Sequence, residues 1–109
     1  FDDDKARLDN LAIELQNNPG STGYVVAYAG RGSRAGEADR MGRRAVDYLT
    51  AARGISRGRL AFINGGHRES NTFELWVVPQ GAEPPRPTPT LSPEQARPAA
   101  APSRRTRRD

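Results

Sequence analysis

Apolar residues recur at helical spacing in two stretches of the chain. The first set follows three acidic residues that suit the start of a helix, and it consists of Leu8, Leu11, Ala12 and Leu15. The second predicts a helix from about Glu37 to Arg53, ahead of Gly54, and it consists of Met41, Ala45, Tyr48, Leu49 and Ala52. Each pattern marks one apolar face, so we expect both helices to pack on a common layer.

Three further stretches are β-branched or aromatic and predict strands. Residues 23–29 are apolar on both faces, which is typical of an interior strand, while residues 60–63 and 73–78 predict two more strands. Asn64-Gly65-Gly66 is predicted to open a loop, and the last two strands are close enough in sequence to form an antiparallel pair. We expect Trp76 to be buried in the core.

The predicted element order is helix–strand–helix–strand–strand. A strand, a helix and a strand in succession favour a right-handed crossover on one sheet. The predicted fold class is therefore α+β, a two-layer α/β sandwich with the helices on one face of a small mixed sheet. A further strand before the first helix would complete the sheet, and that strand would be missing or would lie upstream of Phe1.

Composition divides the chain into two parts. Eight of the nine prolines lie in residues 79–109, where Leu91 is the only large aliphatic side chain. We therefore predict a folded domain over residues 1–78 and a disordered tail or linker over residues 79–109. The net charge of +4 comes mostly from the tail, whose final arginines could contact anionic lipid, nucleic acid or an acidic protein groove. A nucleic acid is disfavoured because no interleaved aromatic residues are present to stack on its bases.

Several classes of function are excluded by what the chain lacks. It contains no Cys and a single His, which rules out zinc–thiolate centres, iron–sulfur clusters and a thiol nucleophile. No apolar run is long enough to cross a membrane. Ser70 stands three residues after His67 on a predicted loop, but the sequence shows no acid of known geometry to orient the pair, so no catalytic residue, metal site or cofactor is predicted.

The loop between the first strand and the second helix has a G-x-G-x-x-x-G spacing. It runs from Gly30 to Gly36 and includes Arg31 and Arg34. Backbone amides, a helix N-terminus and two guanidinium groups suit an anion or a glycan, although the same residues also fit a structural loop with solvated arginines. A nucleotide is disfavoured because no acid closes the next strand near Ile63 to hold a ribose.

The element order and several short motifs resemble the OmpA C-terminal-like domain, the peptidoglycan-associating module of bacterial envelopes. The resemblance covers about residues 1–78. Its most specific part is Arg44-Ala45-Val46-Asp47-Tyr48-Leu49, continued by Arg53-Gly54-Ile55 and Arg59-Leu60. The other matches are the first helix at residues 8–15, the strand at residues 23–28, and Gly65-Gly66 followed by Phe73-Glu74-Leu75.

The resemblance implies a non-catalytic module of the cell envelope, exported to the periplasm, that binds the peptide of peptidoglycan. In that family an Asp binds the ammonium of the diaminopimelate side chain and an Arg binds its carboxylate. In this chain the Asp position falls on Arg31, or on Gly30 with a one-residue shift, and the Arg position falls on Met41. The resemblance therefore implies degenerate or altered binding, in which the ligand's carboxylates would meet Arg31, Arg34, Arg40 and Arg44.

A second interpretation stays open. The family's ligand pair and its first strand are both absent, so the chain could be a structural or accessory subunit of a larger envelope assembly that has lost wall binding. Its partners would then be envelope proteins, because an unpaired sheet edge invites strand addition from elsewhere. Neither interpretation involves an enzyme, a cofactor or a nucleic acid.

Overall fold

The structure, a computed structural model, describes residues 2–97 apart from the side chain of Asp2. It is an α+β fold with three helices and a three-stranded mixed sheet, which confirms the predicted fold class at this level. Its elements are α1 (Asp2–Asn17), β1 (Thr22–Ala29), α2 (Glu37–Ala51), a 3₁₀ turn (Arg57–Arg59), β2 (Leu60–His67), β3 (Thr72–Val78) and α3 (Pro93–Ala96). Within this range no helix has both the length and the apolarity to span a membrane.

β1 is the central strand of the sheet, whose order is β2-β1-β3. It pairs in parallel with β2, after the crossover helix α2, and antiparallel with β3. The predicted pairing between the last two strands is therefore wrong. Their connection instead passes the end of β1, where the N–H of Arg68 donates to the carbonyl of Ala29 at 3.1 Å. Because β1 is apolar on both faces, it takes the position that has a neighbour along each edge.

α1 and α2 cover the same face of the sheet. Their apolar faces pack on alternate residues of β1 to form the main core, which consists of Leu8, Leu11, Ala12, Leu15, Val25, Ala27, Ala29, Ala38, Ala45, Val46, Leu49, Ile55 and Phe73. The helices also join through polar groups, because Arg53 pairs with Asp9 at 2.6 Å and Tyr48 donates to the same carboxylate at 2.7 Å. The Arg53 guanidinium and, to a smaller extent, the Tyr48 hydroxyl hold the pKa of Asp9 below its ordinary value.

No helix of the described range covers the opposite face of the sheet, which we call the open face. Strand alternation places Tyr24, Val26 and Tyr28 on it from β1, and Glu74 and Trp76 from β3. Trp76 lies opposite Tyr24 with 45% of its surface exposed, so the prediction that it is buried in the core is wrong. Successive side chains of a strand point to opposite faces of the sheet. The helices cover the odd-numbered residues of β3, so the even-numbered residue Trp76 lies on the open face.

β2 is longer than predicted, because Asn64-Gly65-Gly66 belongs to the strand and does not open a loop. The register with β1 pairs Ala27 with Asn64 and then Tyr28 with Gly66, so Gly65 is the extra residue of a bulge. A Cβ at Gly65 would overlap the ring of Tyr28. Gly65 therefore allows the Tyr28 ring to pack directly against the backbone of β2, whereas the Asn-Gly-Gly sequence predicts a turn.

Part of the predicted tail packs against the sheet, and we call residues 88–97 the C-terminal strap. The N–H of Thr88 donates to the Tyr28 hydroxyl at 3.0 Å, and Leu91 forms an antiparallel bridge with His67 at the edge of β2. The N–H groups of Thr90 and Leu91 also donate to the carbonyl of His67, so backbone hydrogen bonds hold the strap where apolar burial is scarce. The disordered tail or linker stays a prediction, and residues 98–109 of it lie outside the described residues.

Arg68 fixes the strap on the open face. Its guanidinium lies 3.7 Å from the centroid of the Tyr28 ring, pairs with Glu74 at 2.7 Å and donates to the Thr88 carbonyl at 3.2 Å. The Tyr28 hydroxyl donates to the second oxygen of Glu74 at 3.1 Å. Burial by itself would raise the pKa of Glu74, but the hydrogen bonds from Arg68 and Tyr28 outweigh it and lower the pKa.

Candidate functional site

Three of the four predicted arginines meet in one cleft between α1, α2 and the start of β3, which we call the arginine cleft. Its volume of about 440 Å³ is adequate for a small ligand. It is lined by Asp4, Arg34, Glu37, Arg40, Met41, Arg44, Asn71 and Phe73. Because the guanidinium groups outnumber the carboxylates, the cleft favours an anionic or zwitterionic ligand.

The start of α2 positions two of these cations. Arg40 and Arg44 lie on one face of the helix because they are four residues apart. α2 begins after Gly36, whose φ of 79° lies in the left-handed region that glycine adopts without strain. Gly36 supplies no side-chain cap, so the first-turn N–H groups add positive potential beside the cleft.

Arg40 is held in place by the turn that precedes it. One terminal nitrogen pairs with Glu37 at 2.8 Å, and the other donates to the carbonyl of Ala35 at 3.0 Å. Its Nε is buried and has no hydrogen-bond partner within residues 2–97. Arg40 therefore presents an oriented charge in the wall of the cleft and retains one unused donor.

Arg34 enters the cleft from the β1–α2 loop. Its side chain is 80% exposed, and its contact with Glu37 is 3.9 Å long. An exposed ion pair at this separation contributes little to stability. A ligand carboxylate can therefore replace this contact at a small cost.

Arg31, the fourth predicted residue, does not line the cleft. It makes a two-point contact with Glu69, at 3.0 Å and 2.8 Å, and donates to the carbonyl of Gln95 at 2.8 Å. The hydrogen bond with Glu69 raises the pKa of Arg31, and the Arg31 guanidinium lowers the pKa of Glu69. Arg31 therefore ties the β2–β3 loop and α3 to the end of β1.

The cleft also contains residues that the sequence interpretation did not select for binding. Asp4 was expected to support the start of α1, and Asn71 belonged to a polar loop. In the fold Asn71 accepts a hydrogen bond from the N–H of Gly30 at 2.6 Å, which brings the start of β3 beside the loop that carries Arg34. The spacing of Glu37 and Arg40 on one helix was the one signal in the sequence that could have found part of this set.

A second cleft of about 370 Å³ lies at the carboxyl ends of β1 and β2 and shares Arg34 and Glu37 with the first. His67 lines it, and α3 provides one wall. In the part of the chain that the structure describes, no three His, Asp or Glu side chains gather as metal ligands would. The chemistry available at both clefts is charge pairing and hydrogen bonding.

Comparison with known proteins adds no relative. No family model matches the chain, and no curated protein or solved structure is significantly similar to it. The resemblance to OmpA C-terminal-like domains therefore rests on the residues quoted above.

Proposed function

We propose that the chain is a non-catalytic binding module of the bacterial cell envelope, similar to OmpA C-terminal-like domains, whose arginine cleft binds carboxylates of the peptidoglycan peptide. The observation that carries the proposal is the convergence of Arg34, Arg40 and Arg44 on one cleft of ligand size. Guanidinium groups suit this role because their planar forks match both oxygens of a carboxylate.

The cleft offers partners for both signs of charge. Asp4 and Glu37 stand in the same lining as the three arginines. Both carboxylates already have a cation beside them, since Asp4 lies 3.5 Å from Arg7 and Glu37 lies 2.8 Å from Arg40. An amino-acid residue with a free carboxylate and a free ammonium could place each group against an opposite charge by sharing or replacing these contacts. This composition favours the branched, zwitterionic side chains of wall peptides over simple inorganic anions.

Arg31, which stands at the position of the family's ligand-binding Asp, disfavours the proposed ligand less than its charge alone would indicate. An arginine at the family's Asp position would repel the ligand's ammonium if its charge were unpaired. Here Arg31 has Glu69 as a counter-ion in a two-point contact, and it does not line the cleft. The proposed ligand therefore meets the three cleft arginines without an added repulsion from Arg31.

The direct test is a pull-down of the purified chain on isolated peptidoglycan at low salt. We expect Arg34→Ala combined with Arg44→Ala to lower the retained fraction at least tenfold, because charge-assisted hydrogen bonds are lost. The matched control is Arg43→Ala, an exposed arginine on α2 that does not line the cleft. Equal losses in control and cleft variants, or no retention of the parent chain, would refute wall binding through this cleft.

The accessory-subunit interpretation is favoured by a different observation, the open outer edge of β3. The described sheet ends at β3, so the outward-facing backbone groups of this strand have no neighbouring strand. If the parent chain is not retained on peptidoglycan but associates through this edge, the accessory role is the better account.

A further inference from the structure

β3 is an edge strand without the usual protections. Its seven residues, Thr72–Val78, contain neither Lys nor Pro, and its pairing with β1 is regular over the whole strand. Natural edge strands are commonly blunted by such residues or by bulges, and an unprotected apolar edge is a template for another strand. Among the described residues this edge has no partner strand, and it is able to accept one.

The direction of the backbone groups follows from one contact. Arg7 donates from its guanidinium to the carbonyl of Phe73 at 2.9 Å, so the Phe73 backbone faces away from β1. Backbone groups alternate along an antiparallel strand, so those of Leu75 and Val77 face outward as well. Three residues in alternation thus present hydrogen-bonding groups at the free edge.

A groove runs beside this edge on the helix side of the sheet. Its volume is about 250 Å³, and it is lined by Arg7, Asn10, Leu11, Glu14, Leu75 and Val77. Leu75 and Val77 are only partly buried there, and among residues 2–97 no strand pairs beyond β3. The groove therefore combines an apolar floor with charged residues contributed by α1.

The groove carries a cation, Arg7, and an anion, Glu14, so two copies of the groove placed in opposite directions would bring opposite charges together. α1 runs alongside β3 in the same direction, since Arg7 contacts Phe73 while Asn17 and Asn18 lie beside Val77. Arg7 and Glu14 are two helical turns apart, about 10 Å, and Phe73 and Val77 are about 13 Å apart along the strand. A cation thus marks one end of the groove and an anion the other.

We propose that β3 pairs with β3 of a second copy of this chain, antiparallel and about a two-fold axis at Leu75. Phe73 of one copy then opposes Val77 of the other, and the two sheets join into one. Arg7 leaves the Phe73 carbonyl, which accepts from the partner strand, and pairs with Glu14 of the second copy at both ends of the groove. The apolar floors of the two grooves cover each other.

The charges make the proposal testable without disturbing the core. The full chain is measured by sedimentation velocity from low micromolar to near-millimolar concentration. We expect a monomer–dimer equilibrium that Arg7→Glu or Glu14→Arg weakens at least tenfold, because each single reversal sets like charges against each other at both ends. The double reversal exchanges the two signs and should restore dimerisation, whereas Arg43→Glu, outside the groove, should leave it unchanged.

Amide hydrogen exchange locates the contact. In the dimer the N–H groups of Leu75 and Val77 gain acceptors, so their exchange should slow as concentration rises. Circular dichroism of each variant checks that the fold is kept. A parent chain that stays monomeric at every concentration, or a dimer indifferent to both single reversals, overturns the proposal; loss of peptidoglycan binding alone does not.

Discussion

The Tyr28 hydroxyl provides a sharp test of how the C-terminal strap is held. Tyr28 is fully buried, its hydroxyl donates to Glu74 at 3.1 Å, and it accepts from the N–H of Thr88 at 3.0 Å. Tyr28→Phe keeps the ring but removes both bonds and leaves the Thr88 N–H without its acceptor. A hydrogen bond to a charged group contributes about 1.5–3 kcal/mol and a neutral one about 1 kcal/mol, while water reaching the strap recovers part of this. We expect a net loss of about 2 kcal/mol.

The measurement is urea unfolding of the parent and the variant, together with amide exchange of the strap. A loss of about 2 kcal/mol corresponds to a fall in Tm of about 10 °C for a chain of this size. Exchange at Thr88 and Leu91 should accelerate in Tyr28→Phe beyond what the global loss explains. The matched control is Tyr24→Phe on the same face, since the Tyr24 hydroxyl makes no hydrogen bond to any residue in the described range.

The comparison of Tyr28→Phe with Tyr24→Phe tests whether the Tyr28 hydroxyl holds the strap. Equal stability and equal strap exchange in the two variants would refute the claim that the Tyr28 hydroxyl holds the strap. A fall in stability without faster exchange at Thr88 would also refute it, because the loss would then arise elsewhere in the sheet.

Three other predictions follow from the contacts. The pKa of Glu74 is lowered in the fold, so its contribution to stability is complete above its ordinary value of 4.5 and is lost as the pH falls through the lower folded value. In Glu74→Gln the free energy of unfolding should therefore fall less steeply as the pH is lowered from about 6 to about 3, as measured by urea unfolding at each pH. Gly42→Ala gains about 1 kcal/mol of helix propensity but places a Cβ within the Phe62 ring, which costs about 1–3 kcal/mol, so thermal unfolding should show a net loss. Arg31→Ala should speed exchange of the Gly32 amide, which donates to the carbonyl of Ala96 at the end of α3, while Arg43→Ala leaves it unchanged.

The helices and the central strand were predictable because each is determined by local pattern. The spacing of Leu8, Leu11 and Leu15 defines α1, and the apolar run of 23–29 indicates an interior strand whichever strands lie beside it. The pairing of β3 was not predictable in the same way, because short separation along the chain favours a hairpin. β3 pairs instead with the edge of β1 that β2 leaves unpaired. This arrangement is favoured over a hairpin because the buried central strand then has hydrogen-bond partners for its backbone groups along both edges.

The sequence alone selected Arg34, in the loop before α2, together with Arg40 and Arg44 on α2, but it did not select the other residues that line the cleft. Arg40 and Arg44 share a face of α2 by spacing alone, but Asn71 and Asp4 join them through the packing of β3 and α1, which no local pattern encodes. Arg31 was selected because of its place after β1, and its partner Glu69 lies 38 residues away. When the counter-ion of a charged residue is distant in sequence, the ion pair between them cannot be predicted before the fold is known.

The arginine cleft and the free edge of β3 meet at one pair of residues. Arg7 contacts the Phe73 carbonyl on the edge and, at 3.5 Å, the carboxylate of Asp4, which lines the cleft. If Arg7 moves to Glu14 of a second copy, Asp4 loses this cation and its charge becomes available to an ammonium in the cleft. The two proposed interactions are then linked, and the linkage is reciprocal: a zwitterionic ligand that occupies Asp4 must favour the paired edge by the same factor as pairing favours the ligand.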